Sequence, residues 1–489
     1  MSEPAGLFTG LFARGGVDAG DAVWLQAMLD TEAALARSLE RAGLAAAGAG
    51  AAVTAAARAA NFDAAELGRL ATRTGNPVPG LVRELTAIVP PSAAPAVHHG
   101  ATSQDIIDTA MMLLARAGTD VIAGRLSEAA DSAAELAAEH EATAMIGRTL
   151  LQQAIPVTFG LVAAGWLAGL DEASRTLAAV RPRLAVQFGG AAGTLASLGP
   201  AGPAVAALLA AELGLAEPVL PWHTGRLRII ALAAALAAAS AAPGKIARDV
   251  TLLAQTEIGE VREGDPEGDP NGDPEGASGP RRGGSSVMPH KRNPVAAVTV
   301  LGCTRQVPGL VATLIAAAEQ EHQRAAGAWH AEWQPLTTLL TLTGSAAAWC
   351  ADLLAGLEID AARMRANLDA AGGLPLAEQV AAMLAPRLGR LAAHDLVAEA
   401  SARAAAAGRP LRDVLLDTGT GAAAGSPAPG SPAPGIDPAE LDAALDPARY
   451  LGAASAFVSR TLAAHRQSRG QSPRPAPRSG PTPSRESAG

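Results

Sequence analysis

Cysteine is nearly missing from this 489-residue chain: Cys303 and Cys350 are the only two, in no CxxC and without the His/Cys spacing of a zinc site. A disulfide framework or a structural metal is therefore not what stabilises it, and a reducing compartment fits. Aromatics are scarce as well, at 3%, so the core has to be built of Ala, Leu and Val, which suits helices that approach closely. Long apolar runs are lacking too. The longest, residues 229–242, reads as too short and too Ala-rich to span a bilayer, and no basic stretch followed by an apolar one opens the chain. A soluble, cytoplasmic protein with no membrane partner is expected. With 38 Lys+Arg against 47 Asp+Glu, net charge −9 and no basic stripe, a nucleic-acid partner is not expected either. The scarcest cation is lysine, since Lys245 and Lys291 are the only ones. An ammonium is a compact point charge that stabilises an oxyanion or lowers a hydroxyl's pKa better than a guanidinium fork does.

Lys291 lies in the most chemically committed stretch of the chain, residues 283–294, GGSSVMPHKRNP. Its glycines allow left-handed backbone, its serines supply hydroxyls, and Lys291, Arg292 and Asn293 bring donors to an anion. Pro294 suits the start of a helix from Val295 onward, whose N-terminus favours negative charge. This segment resembles the GSSxMPxKxNP signature of the fumarase/aspartase superfamily, which contains fumarases, argininosuccinate and adenylosuccinate lyases and 3-carboxymuconate cycloisomerases. The resemblance implies that Ser285 is the general base. It also implies that Lys291 and Asn293 hold a substrate carboxylate and the aci-carboxylate it becomes, with Ser286 and Met288 lining the same substrate site.

A second stretch, His98-His99-Gly100-Ala101-Thr102-Ser103-Gln104-Asp105, precedes a long Pro-free segment. Thr102 with Asp105 has capping-box spacing, and a helix cap alone would explain both. The stretch also resembles the superfamily's HxGxTSxDxxDTA region, which implies substrate contacts from Thr102 and Ser103 and places His98 at the site's edge. A third, Gly147-Arg148-Thr149-Leu150-Leu151-Gln152, reads locally as a connection between helices. It resembles the GRTHxQxAxP region, implying that Arg148, Thr149 and Gln152 bind substrate. Where fumarases and adenylosuccinate lyases carry a histidine this chain has Leu150, and where they carry its glutamate partner it has Val298. Expelling hydroxide or an amine requires a general acid, whereas a carboxylate, with an acid pKa of about 4, leaves unaided. That chemistry is lactone formation and opening. It agrees with the resemblance of PWHTGRLRI, GKIARDVTLLAQTEIGEV and EHQRAAGAWHAEWQPL to the cycloisomerase branch of the superfamily.

The remaining elements follow from periodicity. An opening helix is expected after Asp18 and Asp21, with Gly43 as its stop, and another helix from Val157 to Val180. Pro243 should kink or break a helical run. Lys245, Arg248, Asp249 and Glu257 form a stripe that reads as a solvated ion-paired face. Trp329 and Trp333 read as an anchor between helices. The expected fold is all-α, in three parts: an N-terminal domain (1–104), a central long-helix bundle (105–355) and a smaller helical domain (356–465). Residues 264–280, 418–435 and a tail from 466 to 489 are Gly/Pro/Ser-rich and expected to be disordered. By resemblance the chain forms a homotetramer that needs neither metal nor cofactor and acts on a small-molecule tricarboxylate. The rivals are an adenylosuccinate-lyase-like C–N lyase and a non-catalytic helical scaffold.

Overall fold

The structure, a computed structural model, describes residues 6–264, 282–284, 287–288, 291–420 and 435–470. Ser285, Ser286 and most of the three Gly/Pro-rich segments lie outside the described residues. The principal elements are α1 (Asp21–Arg41), α2 (Ser103–Glu139), β1 (Ala144–Thr149), β2 (Gln152–Thr158), α3 (Phe159–Val180), α4 (Leu227–Leu253), β3 (Val261–Glu263), α5 (Val295–Thr304), α6 (Val307–Ala316), α7 (His330–Ala355), β4 (Leu357–Ile359), α8 (Ala377–Leu388), α9 (Arg390–Ala407), α10 (Leu411–Thr420) and α11 (Ala454–Ser468). The fold is helical. Among the described residues strands occur only as two antiparallel pairs, β1 with β2 and β3 with β4.

The chain forms two compact units, one of residues 1–132 with 169–360, the other of 133–168 with 361–489. In the first, α1 buries Leu25, Met28, Leu29, Leu35 and Leu39 at helical spacing and ends before Gly43, whose φ of 74° only glycine adopts cheaply. Of these, Leu25, Met28 and Leu29 share one core with Leu81, Leu85, Ile106 and Trp329. Helices α4, α5 and α7 pack on one another in the same unit. Trp329 is buried and meets Trp333 edge to face at 4.9 Å, the anchor expected. Lys245 pairs with Asp249 on an exposed face, also as expected. In the second unit Val380, Leu384, Val397, Leu411 and Leu441 form a separate core.

Four expectations need correction. Helix α4 runs through Pro243 without a break, because the proline is buried and the adjoining Gly244 lets α4 approach α5 closely: a Cβ there would lie 3.2 Å from Thr304 Oγ1. That packing offsets the one helical hydrogen bond a proline removes. Unbroken, α4 is 27 residues long, and it, the α5–α6 run and α7 are long and apolar enough to cross a membrane by length and composition, so the length argument against a span does not hold. Finally, the helix connection expected at Gly147 to Gln152 lies between α2 and α3 but is built as the end of a β-hairpin, in a chain expected to be all-α. Helix α10 also reaches Thr420, three residues into the segment expected to be disordered from 418.

Candidate functional site

The Thr102–Asp105 stretch forms the N-terminus of α2, and half of the expected capping box is present: Thr102 N–H donates to Asp105 Oδ2 at 3.0 Å. Asp105 does far more than cap. It is buried, and it accepts Gly190 N–H at 2.9 Å, Gly189 N–H at 3.1 Å and a hydrogen bond shared with His223 Nε2 at 2.7 Å. A Cβ on Gly189 would lie 2.6 Å from Pro221 Cβ, so that turn reaches the carboxylate only as glycine. Thr102 and Ser103 are half-buried, and their hydroxyls make no hydrogen bond among the described residues. They are the unspent polar groups of a helix end whose framework is otherwise satisfied.

His98, four residues upstream, has left-handed backbone with φ 57°. Glu32 of α1 grips it twice, through His98 N–H at 3.0 Å and Nδ1 at 2.6 Å. Burial alone would lower the imidazole's pKa, but the hydrogen bond and charge of Glu32 and the charge of Asp105 together hold it above its ordinary value.

One turn further along α2, Asp108 lies in a fully buried charge cluster. Arg226 donates to Asp108 from Nη1 at 2.7 Å and from Nη2 at 3.0 Å, and to Glu332 from Nε at 3.0 Å. Trp329 Nε1 donates to Asp108 at 3.0 Å, and Gln320 Nε2 to Glu332 at 2.9 Å. The two carboxylates push the guanidinium's pKa up despite its burial, and burial pushes Glu332 up against the pull of Arg226. Gln104 bridges this cluster to the α2 terminus: it donates to Asp108 and to His223 O and accepts from Arg324 at 2.8 Å.

The signature stretch is described at its two ends. Gly283 has φ 77°, and a Cβ there would lie 2.3 Å from Asn293 O. Gly283 O accepts Asn293 N–H at 2.8 Å and Asn293 Nδ2 at 3.1 Å, and Gly284 pairs with Arg292 as an isolated antiparallel bridge. Asn293 thus closes the neck of the loop. Lys291 and Met288 are exposed, and α5 begins at Val295, directly after Pro294, as expected. The negative charge expected at that N-terminus is the protein's own. Glu263 accepts Ala296 N–H at 2.8 Å and Ala297 N–H at 3.3 Å, and pairs with Arg282 at 3.1 Å.

The third stretch lies in the other unit. Arg148 stands opposite Gln153 and Thr149 opposite Gln152, across a two-residue turn made of Leu150 and Leu151. Both leucines have positive φ, 52° and 64°, and both are exposed, Leu150 at 96%. A turn of this mirror-image kind ordinarily carries Asn-Gly. At the bulge before Arg148, a Cβ on Gly147 would lie 2.5 Å from Ile155 O, so only glycine lets the strands pair.

Sequence reasoning placed Asp105 and Asp108 in a motif but did not find Glu32, His223, Arg226 or Glu332 as its partners. Glu32 had a visible signal: it is a charge on the α1 stripe that otherwise reads Met28, Leu29, Leu35, Leu39. The pairing of Arg226 with residues 118 and 106 positions away had none. Among the described residues no group of three or more His, Cys, Asp and Glu side chains is placed to hold a metal ion. The described candidates include the unbonded hydroxyls of Thr102 and Ser103 and the exposed ammonium of Lys291, groups of a kind that suit an anion.

Comparison with known proteins adds to this geometry. The profile of a family described as "Lyase" matches residues 19–309, and that of "Adenylosuccinate lyase C-terminus" matches residues 373–461. A 3-carboxy-cis,cis-muconate cycloisomerase of Bradyrhizobium diazoefficiens is 47% identical over 442 residues, covering 90% of this chain and 93% of its own. A nitrosuccinate lyase of Streptomyces davaonensis is 45% identical over 453 residues, covering 90% of each chain. The crystal structure of 3-carboxy-cis,cis-muconate lactonizing enzyme from Pseudomonas putida superposes with a TM-score of 0.83 at 41% identity, covering 94% of this chain and 99% of that one.

Proposed function

The chain belongs to the lyase family of the fumarase/aspartase superfamily, and on that premise we propose that it catalyses the reversible cycloisomerisation of 3-carboxy-cis,cis-muconate to its lactone. The observation that carries this reading is the pair of exposed apolar residues, Leu150 and Val298, at the positions where lyases that expel poorer leaving groups keep a histidine and a glutamate. It is supported by relatives of that name aligned along 90% of the chain. In the lactone-opening direction Ser285, as alkoxide, removes the proton beside a carboxylate. Lys291 and loop N–H groups stabilise the resulting dianion, and the ring oxygen departs as a carboxylate, which needs no acid. Asn293 has two amide N–H groups; one is spent on Gly283 O, and the other is the one assigned to substrate. His98, Thr102 and Ser103, with Arg148, Thr149, Gln152, Ser286 and Met288, complete the substrate contacts. The assembly is a cytoplasmic homotetramer with each site built from three chains.

A second reading has its own support in the nitrosuccinate lyase relative, whose 45% identity falls within the 37% to 47% range of the cycloisomerases. Nitrite, like a carboxylate, departs as a weakly basic anion, so the absence of a histidine–glutamate acid suits both reactions. An ultraviolet assay offering the muconate, nitrosuccinate and adenylosuccinate separately tests these readings. Turnover of the muconate well above the others is expected. Preference for either alternative substrate would replace the proposal, and inertness toward all three would favour a scaffold. Ser285→Ala should abolish turnover and leave oligomeric state unchanged; a near-normal rate would remove Ser285 from its role.

A further inference from the structure

Glu32 has no part in the chemistry just described, yet it is built with care. It is fully buried, and both of its oxygens are engaged by the same residue, Oε1 by His98 Nδ1 at 2.6 Å and Oε2 by His98 N–H at 3.0 Å. A buried carboxylate is costly unless a positive charge and hydrogen bonds compensate it, and an imidazolium at His98 supplies both. With Nδ1 committed to Glu32, the remaining ring nitrogen for a ligand is Nε2. The grip on the backbone N–H fixes the left-handed φ of His98, a conformation that persists in a non-glycine residue only where surroundings over-determine it. The ring keeps 20% of its side-chain surface open, and the unpartnered hydroxyls of Thr102 and Ser103 follow within five residues.

Resting on the substrate reading above, we propose that Glu32 is a positioning residue: it holds His98 as a cation whose Nε2–H binds one carboxylate of the tricarboxylate substrate. The charged groups that act on the imidazole are Glu32 from α1 and Asp105 from α2. Burial opposes the cation and the two carboxylates favour it, with the balance upward. A raised pKa means that the carboxylate affinity supplied by His98 is fully present at low pH and is lost as pH rises through that raised value. Without the Glu32 charge, burial dominates and the same loss comes at lower pH.

The test is Glu32→Gln, with kcat and KM followed from about pH 5.5 to 8.5. In parallel, calorimetry follows binding of tricarballylate, a tricarboxylate that cannot react. The variant should raise KM by about tenfold or more at pH 8, with a gap that narrows as pH falls, while kcat changes by less than about threefold. Tricarballylate affinity should show the same pattern. A loss of equal size at every pH, or a profile that overlays the wild type, would overturn the proposal, as would failure of the wild-type protein to bind tricarballylate. If Glu32→Gln does not fold, His98→Gln, at a partly open position, carries the test: its KM must lose the pH dependence seen in the wild type. Tricarballylate binding with the expected pH dependence but no turnover of the muconate would sink the substrate reading and leave Glu32 in its role. The converse result would sink Glu32 alone.

Discussion

Two stretches of the same unit contrast sharply in how they are held. At the N-terminus of α2 the polar groups that do not face a ligand are spent: Asp105 takes hydrogen bonds from three N–H groups and shares one with His223, and Asp108 is locked by Arg226 and Trp329. The described part of the Gly283–Asn293 stretch has a neck of two hydrogen bonds to Gly283 O and one bridge, with Lys291 and Met288 exposed beyond it. The difference separates two tasks. A carboxylate of fixed shape is best met by groups that cannot move, because orientation lost there is lost in affinity. In the proposed reaction the second stretch has to reach the substrate after it binds, and among its described residues the anchor lies at the neck while Lys291 is exposed.

The largest expected effect falls on the rigid side. Arg226→Met would leave Asp108 and Glu332 buried without their cation, at a cost of about 3–5 kcal/mol, read as a large fall in melting temperature. A variant that melts like the parent would show that the cluster is not what fixes α2. Next comes Lys291→Met on the other side, expected to lower kcat by about 10²–10³-fold, as loss of an oxyanion donor does, with no change in melting. A parallel loss of stability would erase the distinction between the two regions. Gly283→Ala tests the neck itself. Left-handed strain of about 1–2 kcal/mol, added to the contact with Asn293 O, should reduce kcat/KM by about tenfold or more. Unchanged kinetics would mean that the neck does not place Lys291. Smallest is Leu150→Asn in the hairpin turn, where a residue tolerant of left-handed backbone should add about 0.5–1 kcal/mol to stability in urea denaturation. A loss instead would mean that the leucine is packed against something in the native assembly.

Much of this was legible before any coordinates. The Thr102–Asp105 cap, the helix start after Pro294 and the stop at Gly43 depend on local chemistry, and local chemistry is what a sequence displays. The hairpin was not legible, because the Leu150–Leu151 turn carries none of the usual turn residues. Nor was the passage of α4 through Pro243, which depends on close contact with α5 that no window of α4 contains. The anion at the start of α5 was expected from elsewhere and proved to be Glu263, whose strand pairs with β4 nearly a hundred residues on. Partnerships across such separations, Glu32 with His98 or Arg226 with Glu332, exist only once the helices pack.

The scarcity and burial of cysteine have a practical consequence. Cys303 and Cys350 are both fully buried, and burial raises both thiols, Cys350 to about 12, so neither presents a thiolate to a maleimide at neutral pH. The native chain is therefore silent to thiol labelling. A single cysteine at Val287, 82% exposed, would be the sole handle for a fluorophore, and a change of its surroundings on substrate binding could be followed in real time without first removing any natural cysteine.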